Sequence, residues 1–392
     1  TGLTAGVYTI TVNASIADDA NPADNERTRD VTLETAPEQV PVSVANRYEP
    51  DIALSSAGNI YVAFEGYGEY DAGIGFSKST DNGNSFTSEI CAGDLNKLAS
   101  DPAIAAYNGN VYVVWLNDED YKIYYARSTD GGDSFETKVQ VSDAGMCDGN
   151  PDIAVDSSGV IYVVWDGGDY IYIDKSTNGT AFGTDVIVND SFNVVEKPSI
   201  AIDGDDNILV AWSGRMDGMT NHVYLAKSTD GGATFSAAVR VSAEDTEARY
   251  PSVVVDPTDS NKIYVAWVDY GEDAAGDIYV ATSSDGGANF GTGVKVNDDT
   301  ADAEQKFPCM AVNSTGAVFV VWQDGRNYES DYDIYFAGST DGGNSFSANR
   351  KVNPDDTKAV TPTLAVDDTN AFVAWRNTDD QRIYFRKMPL VA

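Results

Sequence analysis

The chain has 392 residues, 42% of them hydrophobic, and carries 62 Asp and Glu against 25 Lys and Arg, for a net charge of −37. A surface this acidic repels phosphate backbones and anionic lipid, which argues against nucleic-acid binding, and no apolar run is long enough for a membrane-spanning helix. A single histidine, His222, and three cysteines without metal-like spacing exclude a histidine-rich zinc site and leave any Ser-His-Asp triad resting on one residue.

In chain order, VYTITVNAS and RTRDVTLE read as two alternating strands around an acidic loop, DDANPADNE. A lone hairpin is marginal in water, so residues 1–36 are expected to pack on the rest of the chain or to be the remnant of a domain cut away. EQVPVSVAN (Glu38–Asn46) reads as an isolated strand. From Pro50 the sequence repeats: a proline and a short apolar strand (PDIALSS, PAIAAYN, PDIAVDS, PSIAIDG, PSVVVDP, PCMAVNS, PTLAVDD), then an apolar run ending in an aromatic residue (IYVAF, VYVVW, IYVVW, ILVAW, IYVAW, VFVVW, AFVAW). A third strand, a polar turn and a fourth strand follow. The second-strand runs do not alternate, so both of their faces are buried.

Seven such units, with a period near fifty residues, predict an all-β fold: a seven-bladed β-propeller over residues 37–392, preceded by the short extension at 1–36. The last unit stops after RIYFRKM (Arg382–Met388) without a fourth strand, and Glu38–Asn46 is expected to supply it and close the ring. His222 reads as a solvated loop residue and Cys309 as a buried strand thiol. Cys91 and Cys147 fall in loop regions of successive repeats, where a disulfide is open.

Between third and fourth strands one turn recurs six times: STDNGNSF from Ser79, STDGGDSF from Ser128, STNGTAF from Ser176, STDGGATF from Ser228, SSDGGANF from Ser283 and STDGGNSF from Ser339. Asp81, Asp130, Asp230, Asp285 and Asp341 can accept backbone N–H bonds inside the turn, and Asn178 takes that place in the third copy. Interchangeable copies argue for construction, because an active site needs a unique constellation. The turn resembles the Asp-box, S-x-D-x-G-x-[ST]-[FW], of sialidase-like propellers. The N-terminal extension resembles the end of an immunoglobulin-like module of bacterial and archaeal surface proteins.

The rim opposite these turns carries loops that differ between repeats, and function on a repeated scaffold is expected there. The resemblance implies three arginines for a substrate carboxylate, a Tyr–Glu nucleophile pair and an Asp acid/base. Arg249-Tyr250-Pro251 is the nearest match to an Arg-Ile-Pro motif, Arg47, Arg215, Arg326 and Arg376 fall on the same rim, and Asp269, Tyr270 and Glu272 follow in blade five. The chain departs from the six-bladed pattern, and the arginine of Trp322–Arg326 reads as a partner for a neighbouring loop carboxylate. For a calcium ion the candidates are Asp118, Glu119 and Asp120, and separately Asp203, Asp205 and Asn207, whose spacing suits a calcium loop but which no glutamate closes.

The expectation is an extracellular or cell-surface propeller acting as a noncatalytic binding or structural module for glycans or surface proteins. Rim tyrosines Tyr67, Tyr70, Tyr270, Tyr328 and Tyr332 are available for stacking on sugars, and the sequons at Asn13, Asn178, Asn189 and Asn313 fit an exterior location. The alternatives are an exo-glycosidase of sialidase type, and a surface-layer or filament subunit that self-assembles through residues 1–36. Calcium is the one cofactor the sequence suggests.

Overall fold

Each repeat folds into one four-stranded antiparallel sheet, and seven such sheets make the ring. The computed structural model describes residues 47–66, 73–93, 97–143, 145–189, 194–216, 220–271, 275–299, 303–327, 332–354 and 357–390, with the backbone of strands β1 (Gly6–Asn13), β2 (Glu26–Leu33) and β3 (Glu38–Gln39). The first strands of the blades are Tyr48–Leu54, Ala99–Tyr107, Gly149–Val155, Val194–Ile202, Ala248–Asp256, Gln305–Val312 and Ala359–Val366. Each touches the first strand of the next blade all the way round, so these strands line the axis. Order within a blade follows the chain from axis to periphery, as expected when consecutive strands pair.

The apolar second strands are buried on both faces because blades stack face to face. In one inter-blade cluster Tyr61, Ala63, Ile74 and Phe76 of blade 1 pack against Val111, Val113 and Trp115 of blade 2. Six tryptophans end the second strands of blades 2–7, all within 2% of full burial. Each stacks on the tyrosine opposite it in the third strand, as Trp165 does on Tyr172 with ring centroids 5.9 Å apart. Blade 1 replaces this pair with Phe64 and Gly75; a Cβ at Gly75 would lie 2.1 Å from the Phe64 ring, so the phenyl takes the space the tyrosine fills elsewhere.

The ring closes as the repeat count requires. β3 pairs antiparallel with the last strand, Arg382–Pro389, through Glu38 opposite Phe385 and Gln39 opposite Tyr384. Residues 40–46 of the expected closing strand lie outside the described residues. β1 and β2 pair in register from Gly6–Leu33 to Asn13–Glu26.

The recurrent turns are held by their own side chains. In blade 2, Asp130 Oδ1 accepts from Ser134 N at 2.9 Å and from Ser128 Oγ at 2.7 Å, and Ser134 Oγ donates to Asp130 Oδ2 at 2.6 Å. Asp81, Asp230 and Asp341 make the same bonds, and these donors hold each of the three carboxyls down at about 2. Asn178 keeps the backbone half of the pattern, accepting from Thr180 N at 2.8 Å. The turns also clasp blades together: Lys78 Nζ donates to Gly131 O in the next blade's turn at 2.7 Å, Arg127 NH1 to Asn178 O at 2.9 Å and Lys175 Nζ to Gly231 O at 2.6 Å.

One local expectation changes, and one open pairing is decided. His222 is not a solvated loop residue: it opens the third strand of blade 4 opposite Gly214 and is only 4% exposed, because the loop ends one residue earlier. Cys91 and Cys147 form no disulfide; Cys147 is buried and Cys91 Sγ donates to Gly93 O at 2.9 Å.

Candidate functional site: the central mouth

Every first strand carries a β-bulge near its start, where the register skips: between Tyr48 and Asp51, Ser100 and Ala103, Gly149 and Asp152, Glu196 and Ser199, Arg249 and Ser252, Lys306 and Cys309, and Val360 and Thr363. The bulge contains the repeat's proline, which has no N–H to give to the ladder. The residue before each proline sits at positive φ: Glu49 (38°), Asp101 (50°), Asn150 (48°), Lys197 (52°), Tyr250 (57°), Phe307 (51°) and Thr361 (48°). Side chains that rarely adopt this conformation are held in it seven times, and all seven line one central cavity of about 440 Å³.

First strands begin at the rim that holds the links between blades and the loops joining second to third strands. The cavity therefore opens on the variable rim, opposite the recurrent turns.

Below the bulge ring, the residues after the prolines form a belt between blades. Asp51 Oδ2 accepts from Ile104 N at 2.9 Å, Asp152 Oδ2 from Ile200 N at 2.9 Å, Ser199 Oγ from Val253 N at 3.2 Å and Ser252 Oγ from Met310 N at 3.1 Å. Blade 2 offers only Ala103 here, and Ile153 N turns instead to the carboxylate of its neighbour Asp152 at 2.8 Å. Burial raises the carboxyl of Asp152 to about 7, and Cys309 in the same belt is pushed up to about 12 by burial.

The mouth has two chemically different walls. Glu49, Asp101, Asn150 and Lys197 come from blades 1–4. Asp101 Oδ2 accepts from Asn150 N at 3.2 Å, and burial, then the hydrogen bond and charge of Asp101, raise Glu49 to about 8. Behind them Asp166 takes Lys197 N and Asn150 Nδ2, each at 3.0 Å, and burial lifts its carboxyl to about 6. On the other side Tyr250 and Phe307 of blades 5 and 6 present aromatic rings with centroids 4.9 Å apart. A carboxylate wall facing an aromatic wall can hold a neutral polyhydroxylated ligand, its hydroxyls bonded on one side and its apolar face stacked on the other.

The arginines named from sequence do not converge. Arg47 is fully buried, 3.4 Å from Glu89. Arg326 is surrounded by Asp298 at 2.6 Å, Asp324 at 2.8 Å and Asp299 at 3.7 Å, with its guanidinium over the Tyr335 ring. Arg215 Nε donates to Asn221 Oδ1 at 2.9 Å. Arg249 pairs with Glu247 at 2.7 Å and Glu196 at 3.4 Å, and Arg376 lies over the Tyr48 ring at 3.9 Å.

Asp269 is a loop anchor, accepting from Thr246 Oγ1 at 2.8 Å, Trp267 Nε1 at 3.1 Å and Gly271 N at 2.9 Å. Burial raises the Tyr270 phenol to about 12, and Glu272 lies outside the described residues with Tyr67, Tyr70 and Tyr328. A tyrosine–carboxylate contact does form nearby, but between Tyr332 and Glu304, which also holds Lys306 at 2.5 Å.

The residues named for calcium diverge. Asp118 accepts from Ser100 Oγ at 2.8 Å, Glu119 pairs with Lys97 at 2.5 Å and Asp120 accepts from Tyr124 OH at 2.8 Å. Asp203 is filled by Asp205 N, Asn207 and the Lys227 ammonium at 2.9 Å, where a cation would have to sit. Among the described residues no group of three or more metal-ligating side chains is arranged around a common point.

Sequence reasoning passed over Glu49, Asp101, Lys197 and Phe307. Their signal was the contrast between an invariant proline in each repeat and a different residue before each one.

No protein-family model matches the chain and no curated protein resembles it in sequence. Solved structures do resemble it in fold. A polysaccharide lyase of family PL25, an ulvan lyase bound to a GlcA(1-4)Rha3S segment, superposes with TM-score 0.64 at 13% identity over 90% of this chain and 96% of that one. The Hadza microbial sialidase Hz136 gives TM-score 0.54 at 14% identity over 93% and 73%. A GH93 α-L-arabinofuranosidase of Fusarium graminearum, in complex with arabinobiose, gives 0.53 at 14% over 76% and 96%. At such identities the likeness is one of fold.

Proposed function

We propose that this protein is an extracellular or cell-surface glycan-binding propeller whose ligand seats in the central mouth. The observation that carries the reading is the bulge ring. Seven repeats keep one backbone conformation before the proline, yet each turns a chemically different side chain into the same cavity. A scaffold that holds strained positions while varying what they display suits recognition. The glycan-acting propellers that share the fold support a saccharide as the ligand class.

Binding is favoured over turnover of the sialidase type. Arg47 and Arg326 are already held by carboxylates, which leaves a sialate or uronate carboxylate without those two guanidiniums. The contact of Tyr332 with Glu304 supports the second reading, an exo-glycosidase centred on blades 5 and 6. A glycan array run with the parent and with Tyr250→Ala, beside an aryl sialoside turnover assay, tests both. The expected result is binding to neutral or amino saccharides that disappears in Tyr250→Ala, with no turnover. Turnover lost in Tyr332→Phe would replace the first reading with the second.

A further inference from the structure

Two of the seven side chains before the prolines are carboxylic acids, and they belong to adjacent blades. Glu49 of blade 1 and Asp101 of blade 2 are in hydrogen-bond contact in the lining of the central cavity. Two ionised carboxylates in contact repel each other, so the pair keeps a proton; burial first, then Asp101, holds it on Glu49 up to about 8. Asp101 is fixed in place. Its Oδ2 accepts from Asn150 N at 3.2 Å, and a Cβ at Gly149 would lie 2.6 Å from that oxygen, so the glycine is what lets it approach.

Asn150 of blade 3 extends the same wall. Its Nδ2 donates to both oxygens of Asp166, at 3.2 and 3.0 Å, which turns Oδ1 away from Asp166 and leaves it without a donor among the described residues. Three successive blades thus bring acceptors to one wall of the cavity. The cations nearby are not bonded to Glu49: Lys197 of blade 4 acts on it through charge alone, and Arg376 of blade 7 lies over the Tyr48 ring and donates to Gln381. Glu65, on the second strand of blade 1, adds a further negative charge.

A primary ammonium carries one charge and three N–H donors, which matches this wall, whereas a divalent ion seeks about six oxygens. Among the described residues no group of three or more metal-ligating side chains is gathered. Across the cavity, Tyr250 and Phe307 offer ring faces both to the apolar side of a sugar and to a cation.

We propose that the mouth selects saccharides bearing a free amino group, with the ammonium seated on Glu49, Asp101 and Asn150 and the sugar ring against Tyr250 and Phe307. The selectivity rests on the saccharide reading of the mouth and narrows its ligand class. The ammonium takes the place of the Glu49 proton, which leaves to solvent. Binding therefore releases one proton and strengthens as pH rises toward neutrality.

Titration calorimetry with a glucosamine trisaccharide and with its N-acetylated counterpart, at about pH 6.5 in buffers of different ionisation enthalpy, tests this. The amino form should bind about tenfold or more tighter and release close to one proton, and the N-acetylated form should release none. Glu49→Gln should abolish the release and flatten the pH dependence. Glu49→Gln/Asp101→Asn should bring the two saccharides to equal affinity, with N-acetylated binding retained as the sign of an intact cavity. Release that persists in Glu49→Gln comes from Asp152 or Asp166, the other raised carboxyls at the mouth, and overturns the assignment. A simple alkylamine that binds as tightly as the trisaccharide overturns the sugar half of the proposal. Equal affinity of the parent for both trisaccharides, or binding of neither, overturns the amino selectivity; binding of other saccharides on the array then decides the glycan reading separately.

Discussion

Thr363 in blade 7 donates its hydroxyl to Asp51 in blade 1 at 2.8 Å, across the seam where the end of the chain meets its beginning. Asp51 also accepts Ile104 N from blade 2 and its neighbour Ile52 N, each at 2.9 Å, so one carboxyl ties three blades at the axis. Thr363→Val should cost about 1 kcal/mol, the net worth of one hydrogen bond. Asp51→Ala should cost about 3 kcal/mol, because it strands two buried N–H groups and opens a void. Urea unfolding of the two variants gives the comparison; equal midpoints would mean the belt does not hold the seam.

At the bulge of blade 7 the strain is separable from any contact. Thr361 is β-branched at φ 48°, and its hydroxyl finds no hydrogen-bond partner among the described residues. Asn tolerates this region better, so Thr361→Asn should stabilise the protein by about 0.5–1 kcal/mol. A loss of stability would show that the threonine packs in a way its backbone does not reveal.

The clasps between blades predict a modest, local effect. Lys78 reaches Gly131 O and Asp133 in the next blade, and Asp133 is largely solvated. Lys78→Met should therefore cost only about 1 kcal/mol. Hydrogen exchange should quicken in the turn at 129–135 and leave other blades unchanged. Uniform quickening would count against a local clasp.

Opposite pKa shifts bound the stable pH range from both sides. Asp81, Asp230 and Asp341 lie near 2, below the ordinary 3.8, so their contribution is present above 3.8 and is lost as pH falls through 2. Glu49 lies near 8 and Asp152 near 7, above their ordinary values of 4.5 and 3.8, so their contribution is complete at acid pH and is lost as pH rises through 7 and 8. The alkaline loss begins as soon as pH passes the ordinary values of 3.8 and 4.5 and continues up to the raised ones, so maximum stability from these groups is expected at about pH 4. Thermal melts across pH check it, and Glu49→Gln should flatten the alkaline slope. An unchanged slope would remove Glu49 as its source.

The ring was legible in the sequence because repetition multiplies weak signals: seven prolines, seven apolar runs and six turns each support the same count. The missing fourth strand of the last repeat located the closing strand, since an unpaired edge has to be covered. The mouth was not legible. β-bulges leave no hydrophobic period, and Glu49 or Lys197 looks like any polar residue before a proline until the register skip aims it at the axis. The rim arginines were legible in part: the sequence offered Arg326 a loop carboxylate as partner, and Asp298, Asp324 and Asp299 close on it. His222 shows how one residue of loop length separates solvent from the interior.

The central claim is that ligand seats against the bulge ring. The most direct measurement is hydrogen exchange of the parent with and without the tightest saccharide from the array, read at peptide resolution. The account predicts protection in the first strands that carry Glu49, Asp101, Tyr250 and Phe307, with the recurrent turns of the opposite rim unchanged. Protection confined to the outer loops, with those four strands unaffected, would contradict it.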